Sequence, residues 1–470
     1  MNTSPRGGTL CAALALLLAG CALHTPPPDP QLKLPAQWKM AGPASAATSA
    51  GDRRPWWEEF DDARLSALVG EALRVNNSLA AAILRVQRAR LQAGLADTSI
   101  TPAVTAGANF SEEKIVGSPG TSRFFNFSGT LSYEVDLWGR LASQRDAAAW
   151  DAQASLADCQ AAALSLIGTT ATSYWQLALN NQQIAIGERN LSDAEKVLAM
   201  VRTKYAAGAV SGLDIAQAEQ NLAALQADQT QLLQQRIETR NALTILFDQA
   251  PETSIADDAV LAQETLPDVD PDLPASLLGH RPELHADELR LRESLANLDA
   301  TKASFYPAFS LNGSYGRNSD PVTLALQNPV LTLGAGLTLP FIQWNTTQLT
   351  IKVSENQYAE AVANFRQHLY SALSEVEDAL SARAQYDAQA EKLELSLRQA
   401  KRAEAMTETR YRAGAISVQS WLDAQQKVRG AELALAQNRF NRLSTQVKLN
   451  KALGRGVEYT CVAAAKGQGS

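Results

Sequence analysis

The chain has 470 residues, and 42 basic against 49 acidic side chains leave a net charge of −7, so the basic footprint that nucleic-acid binding requires is missing. Hydrophobic residues make up 46% but aromatics only 6%, which leaves the apolar content to Ala and Leu, the composition of helices. The length alone allows about three ordinary domains, and a repeat described below replaces them by two similar halves.

Residues 1–20 read as a targeting segment. Arg6 supplies a positive n-region, and the apolar run Leu10 to Leu18 is too short for a spanning helix. The segment ends in Leu18-Ala19-Gly20-Cys21, which resembles the bacterial lipobox. That resemblance implies a lipid on Cys21 as the first mature residue, and Ala22 in place of Asp after it implies the outer membrane. A signal peptide that merely contains a cysteine is the plainer alternative. Acyl chains add roughly 0.8 kcal/mol per buried CH₂, so several together anchor firmly. Of the other cysteines, Cys11 leaves with the signal, while Cys159 in a helical run and Cys461 in the tail are expected as two isolated thiols, with a periplasmic disulfide between them as the alternative that nothing in the sequence supports.

Residues 21–60 read as an extended strap, rich in Pro, Ala and Ser from His24 to Asp52. From Asp61 an amphipathic pattern through Leu65, Leu68, Val69 and Leu73 predicts one helix to about Thr98, where Pro102 stops it. The period then changes to two. Val104, Ala106, Ala108 and Phe110 alternate with polar residues, as do Phe125, Phe127, Leu131, Tyr133 and Val135, and Gly117-Ser118-Pro119-Gly120 between them signals a loop. A hairpin over 103–136, with one apolar and one polar face, is the expectation.

No proline occurs between Leu137 and Pro251, and Arg140 to Tyr205 reads as one long helix. The turn 205–211 follows, with Gly208 as its C-cap and Ser211 and Asp214 capping the next helix, which runs to about Asp248. Thr203-Lys204-Tyr205-Ala206-Ala207-Gly208-Ala209-Val210-Ser211 returns as Thr409-Arg410-Tyr411-Arg412-Ala413-Gly414-Ala415-Ile416-Ser417. A repeat over so long a period marks a duplicated half. The first repeat is therefore 61–248, an acidic, proline-punctuated linker occupies 249–280, the second repeat is 281–454, and a tail covers 455–470. In the second repeat a helix from Arg281 to Ser304 leads to a hairpin over 308–340, a long helix from Asn345 to Tyr411, the turn 411–417 and a last helix. Each long helix would measure roughly 100 Å at 1.5 Å per residue.

Four strands of about ten residues have the length that a tilted strand needs to cross a bilayer. Four alone leave open edges that lipid does not admit, so spanning requires further copies of the chain. A small soluble sheet on a coiled-coil rod is the other reading of the same pattern. The histidines His24, His280, His285 and His368 form no ligand cluster, and there is no phosphate loop, nucleophile elbow or metal-spaced Cys pair, so neither an enzyme nor a metal or cofactor site is expected.

Trp56-Trp57-Glu58-Glu59-Phe60-Asp61-Asp62, Tyr133-Glu134-Val135-Asp136-Leu137-Trp138-Gly139-Arg140, Arg281-Pro282-Glu283-Leu284 and the two Tyr-x-x-Gly turns resemble the TolC-type outer membrane factors, in their lipoprotein branch. The resemblance implies a mostly α fold with a small β part, in which a homotrimer joins an outer-membrane β-barrel of four strands per protomer to a periplasmic α-helical barrel. It implies as partners outer-membrane lipid, a periplasmic adaptor and an inner-membrane RND or ABC pump, and as function the exit duct of a tripartite efflux pump for small toxic compounds. A type I protein secretion duct and a lipid-anchored scaffold without a pore are the alternatives. It also implies a gate at the turns, carried by Tyr205, Gly208, Asp214, Tyr411, Gly414, Ser420 and Asp423, where Asp214 and Asp423 either ring the duct as a cation filter or simply favour their helix starts. Two departures stand out: Phe341-Ile342-Gln343-Trp344-Asn345 replaces the Gly-Arg pair expected after the second hairpin, and Ser420 and Ile416 stand at tip positions that carry charge elsewhere.

Overall fold

The computed structural model describes residues 33–39, 55–117, 119–251, 255, 258–261, 266–267, 274, 277–319, 330–456 and 461. The signal segment, Cys21, most of the strap, much of the linker, the loop after the third strand and nearly all of the tail lie outside the described residues. The chain divides into two compact units, one built from Leu84–Ala157 and Leu284–His368, the other from Lys33–Ile83, Asp158–Glu283 and Leu369 onward.

Helices α1 (Ala63–Val75) and α2 (Asn77–Thr98) stand where the apolar pattern predicts one. Asn76 interrupts them: its backbone is extended at φ −66°, ψ 123°, its side chain accepts from the Leu79 amide at 3.0 Å, and its Nδ2 donates to the Leu246 carbonyl at 3.0 Å. A short polar side chain that caps a new helix competes with the backbone bond that would have continued the old one. The remaining elements are β1 (Ala103–Glu113), β2 (Ser122–Val135), α3 (Arg140–Ala206), α4 (Gly212–Ile245), α5 (Leu277–His280), α6 (Pro282–Ala303), β3 (Ala308–Ser319), β4 (Val330–Thr338), α7 (Trp344–Arg412) and α8 (Val418–Ala452).

In the first unit the strands form one antiparallel sheet in the order β1-β2-β3-β4, so β2 of one hairpin pairs with β3 of the other. The register sorts the faces. Val104 opposes Leu131, Leu131 opposes Gly313 and Gly313 opposes Leu333; two residues along, Ala106, Gly129, Tyr315 and Leu331 form the next row. The alternate rows are polar, as in Thr105, Thr130, Ser314 and Thr332, with the Thr105 and Thr130 hydroxyls hydrogen-bonded to each other. Side chains directly opposite share a face, so all four strands present their apolar residues on one side. That side is uncovered: Val104 is 76% exposed and Leu333 78%.

The first hairpin joins α3 through Gly139, whose φ of 76° suits glycine. Arg140 donates to both Glu134 oxygens at 2.7 Å, Asp136 accepts from the Ala142 amide at 2.8 Å, and Trp138 Nε1 donates to the Pro307 carbonyl at 2.9 Å. The second join is built differently. Pro340–Ile342 makes a single 3₁₀ turn, and Phe341, Ile342 and Trp344 stay exposed.

The second unit is helical. Its buried side chains include Trp56, Leu65, Val69, Ile167, Trp175, Leu177, Leu243 and Leu449. Buried amides fix the helix register: Asn180 on α3 donates to Thr239 Oγ1 at 2.9 Å, and Asn438 on α8 donates to the Tyr386 carbonyl at 3.1 Å and Gln389 Oε1 at 2.9 Å. A buried amide that slips from its partner loses about 1–3 kcal/mol. The expectation of two isolated thiols is corrected here. Cys159 and Cys461 form a disulfide with their Cα atoms 6.2 Å apart. Gly454 and Gly456 have positive φ after α8, and Cys461 meets α3 in a pairing that no spacing along 302 residues discloses.

Candidate functional site at the paired turns

Both copies of the repeated nonapeptide end a long helix in the same way. Gly208 (φ 74°) donates to the Tyr205 carbonyl at 2.8 Å and Ala209 to the Lys204 carbonyl at 2.9 Å. Gly414 (φ 76°) donates to Tyr411 at 2.9 Å and Ala415 to Arg410 at 2.9 Å. A left-handed residue after the helix lets the two amides behind it satisfy orphan carbonyls, and glycine reaches that conformation without the Cβ clash.

The side chains break this symmetry. Tyr205 is half exposed, whereas Tyr411 is buried, with 2% of its surface accessible. Tyr411 stacks on Trp421 of α8 with ring centroids 5.3 Å apart, and Lys204 from the other turn lies 4.3 Å above the Tyr411 ring and donates to its carbonyl at 3.0 Å. Trp421 Nε1 in turn donates to Glu404 Oε1 at 2.8 Å. Val197, Leu198 and Val201 of α3, Ala218 of α4 and Val418 and Leu422 of α8 complete one buried cluster around the tyrosine. The two turns of a single chain are thereby locked together, and burial, followed by the nearby Asp214 charge, pushes the Tyr411 phenol above its ordinary range.

Asp214 accepts from both the amide and the hydroxyl of Ser211, at 2.9 and 2.8 Å. Those hydrogen bonds favour the carboxylate and hold its pKa below the usual aspartate value, and the Val418 amide at the start of α8 adds to the effect. Ser420, its counterpart in the second turn, is exposed and brings no carboxylate to Ser417. Asp423 is exposed one turn further on, where it accepts from Gln419 Nε2 at 2.7 Å. Arg412 pairs within its own helix, with Glu408 at 2.6 Å. The expected site residues thus separate: Tyr411 lies in the inter-turn cluster with Asp214 beside it, Gly208 and Gly414 shape the backbone, and Tyr205, Ser420 and Asp423 are exposed. Sequence reasoning passed over Trp421 and Glu404, and over the contact of Lys204 with Tyr411. Trp421 could have been found from the repeat, since the equivalent position in the first half is Ile215 and the exchange adds an indole beside the turn. Among the described residues no group of three or more His, Cys, Asp or Glu could hold a metal ion.

The model of the outer membrane efflux protein family matches residues 68–247 and 273–455. The chain belongs to that family. The pyoverdine export outer membrane protein OpmQ of Pseudomonas putida is 30% identical over 454 residues, which cover 94% of this chain and 96% of the relative. The open-state structure of the Neisseria gonorrhoeae MtrE outer membrane channel is 28% identical and aligns with a TM-score of 0.80 over 93% of this chain and 99% of its own. The Campylobacter jejuni CmeC outer membrane channel gives a TM-score of 0.83 over 95% and 98%, at 24% identity, which speaks for the fold. This efflux protein is accordingly an outer-membrane channel of the TolC type, the exit duct of an efflux pump, mostly helical with a small antiparallel sheet.

Proposed function

We propose that the efflux duct is a homotrimer anchored by lipid on Cys21, with the four strands of each protomer forming one segment of a shared β-barrel. The sheet carries this reading: its apolar face is uncovered, and both β1 and β4 are edges. An edge has free amides and carbonyls that lipid cannot satisfy, and only closure onto the next copy removes them. Strands of 9–14 residues match the roughly 9–11 that a tilted crossing requires. The polar rows then line the passage. Energy comes from an inner-membrane RND or ABC pump through a periplasmic adaptor.

At rest the duct closes at the paired turns, through Tyr205, Gly208, Asp214, Tyr411, Gly414, Ser420 and Asp423, with Lys204 and Trp421 holding the two turns of a protomer together. The family's efflux description and the relative named for pyoverdine export support small compounds over protein as cargo. Cysteines placed on the two edges, Thr105→Cys and Thr332→Cys, test the closure. A covalent ladder ending at three chains on non-reducing gels, with ion conductance in planar bilayers, is the expected result. A monomeric, non-conducting protein would sink the proposal.

A further inference from the structure

In the second unit Gly454–Gly456, which follow α8, lie against Trp56, Glu59 and His280. After α8, Gly454 (φ 69°) and Gly456 (φ 94°) turn the backbone so tightly that a Cβ would stand 2.3 Å from the His280 carbonyl oxygen at the first and 2.9 Å from the Trp56 ring at the second. Between them Arg455 places Nη2 2.7 Å from Glu59 Oε1 and Nη1 2.7 Å from Asn450 Oδ1. Trp56 is 1% exposed, and Phe60 packs on Trp175 of α3 with centroids 4.7 Å apart. The segment covered in this way, within Pro55–Phe60, is the end of the strap, just before α1. Cys461 and its partner Cys159 on α3 are both buried.

We propose that the Cys159–Cys461 disulfide is a redox-controlled clasp that keeps Gly454–Gly456 closed over Trp56–Glu59. Without the bond, a partly exposed ion pair and the Trp56 contact would have to hold the segment, and a pair of that kind contributes little. With the bond, the segment stays at high effective concentration beside α3 whenever the weaker contacts open. Outer-membrane export passes through an oxidising compartment, where such bonds persist. Closure proceeds by thiol–disulfide exchange: one thiolate attacks the disulfide of an oxidant protein or small molecule, and the second thiolate displaces the oxidant from the mixed disulfide. The two thiols lose two electrons and two protons, which reduce the oxidant's disulfide to its two thiols. A dithiol reverses the sequence. Because both sulfurs are buried, that reversal waits for the clasp to open.

The inference rests on the outer-membrane location and not on trimer closure, so failure of either reading leaves the other standing. Full-length protein extracted from membranes without reductant, denatured and digested with trypsin should yield the peptide Asp146–Arg189 linked to Gly456–Lys466, and no free thiol at either cysteine should react with maleimide. In the native protein, dithiothreitol should speed cleavage after Arg455 by roughly tenfold or more and shift tryptophan emission to the red, as local opening exposes Trp56. Cys461→Ser should behave so without reductant, and the double variant Cys159→Ser with Cys461→Ser should no longer respond to it. Free thiols in the unreduced protein would overturn the clasp, and so would a wild-type cleavage rate indifferent to dithiothreitol or a double variant that still responds. The wild-type comparison stands even where a variant fails to fold.

Discussion

Lys204 Nζ lies 4.3 Å from the centroid of the Tyr411 ring and donates a hydrogen bond to the Tyr411 carbonyl at 3.0 Å. One lysine at the end of α3 therefore caps the end of α7 and covers its aromatic side chain. A cation near the last carbonyls of a helix is favoured by the dipole, and a cation over a ring adds about 0.5–1 kcal/mol at an accessible site.

Removing that charge should loosen the pair of turns. Lys204→Met is expected to weaken their association by about 1–2 kcal/mol, the hydrogen bond and the ring contact together. Single-channel recording in planar bilayers is the check, with higher conductance or more frequent opening expected. A trace identical to wild type would show that the contact between the turns does not hold the duct closed.

Trp421 is the larger element of the same cluster. Trp421→Ala leaves Tyr411 without its stacking partner and Glu404 without its donor, at a cost of about 3–5 kcal/mol for a buried aromatic. Hydrogen exchange at the amides of 203–209 and 409–415 should accelerate together, because both segments lean on one cluster. Acceleration confined to the second turn would mean that the halves are independent.

Gly208 and Gly414 share one backbone conformation, so alanine at either should cost a similar amount, about 1 kcal/mol. Gly212, at the start of α4, has no positive φ, and a Cβ added there would meet nothing within 4 Å. Gly212→Ala should therefore be neutral or slightly stabilising. Thermal denaturation of the three variants in detergent separates the cases, and a Gly212→Ala loss as large as the others would refute the conformational argument.

Asp214 has a depressed pKa in the folded chain, caused first by the Ser211 hydroxyl and then by the Ser211 amide. A depressed carboxylate contributes stability that is fully present above its unfolded pKa and is lost as pH falls through the folded value. The cap should thus be intact at neutral pH and weaken only under acid conditions below the ordinary aspartate range. Ser211→Ala should raise the pKa of Asp214 and cost about 1 kcal/mol at neutral pH. Protease sensitivity of the 205–211 turn, followed from pH 7 downward, should begin at a higher pH in the variant than in wild type.

Much of the fold was legible because its signals are local. The switch from a period of about 3.6 to a period of two marked the strands, proline and glycine marked the boundaries, and a repeat of residue types such as Tyr-x-x-Gly marked both turns. The helix break at Asn76 escaped because α1 and α2 continue one apolar pattern across it, and the Leu246 carbonyl that holds the Asn76 amide is distant in the chain. At the candidate site, the glycines and the Asp214 cap were readable, since both act within a few residues.

The sequence by itself determined the duplication, the four strands with one apolar face each, and the helix–turn–helix at the end of each long helix, because each follows from residue type and spacing over a short range. The tertiary structure alone decided that β2 pairs with β3, that Cys159 meets Cys461, and that Tyr411 is buried while its twin Tyr205 is not. Those outcomes depend on which surfaces meet between segments far apart in the chain. Lys204 and Trp421 become partners of Tyr411 only when the ends of α3, α7 and α8 come together, and nothing in the nonapeptide itself distinguishes its two copies in that respect.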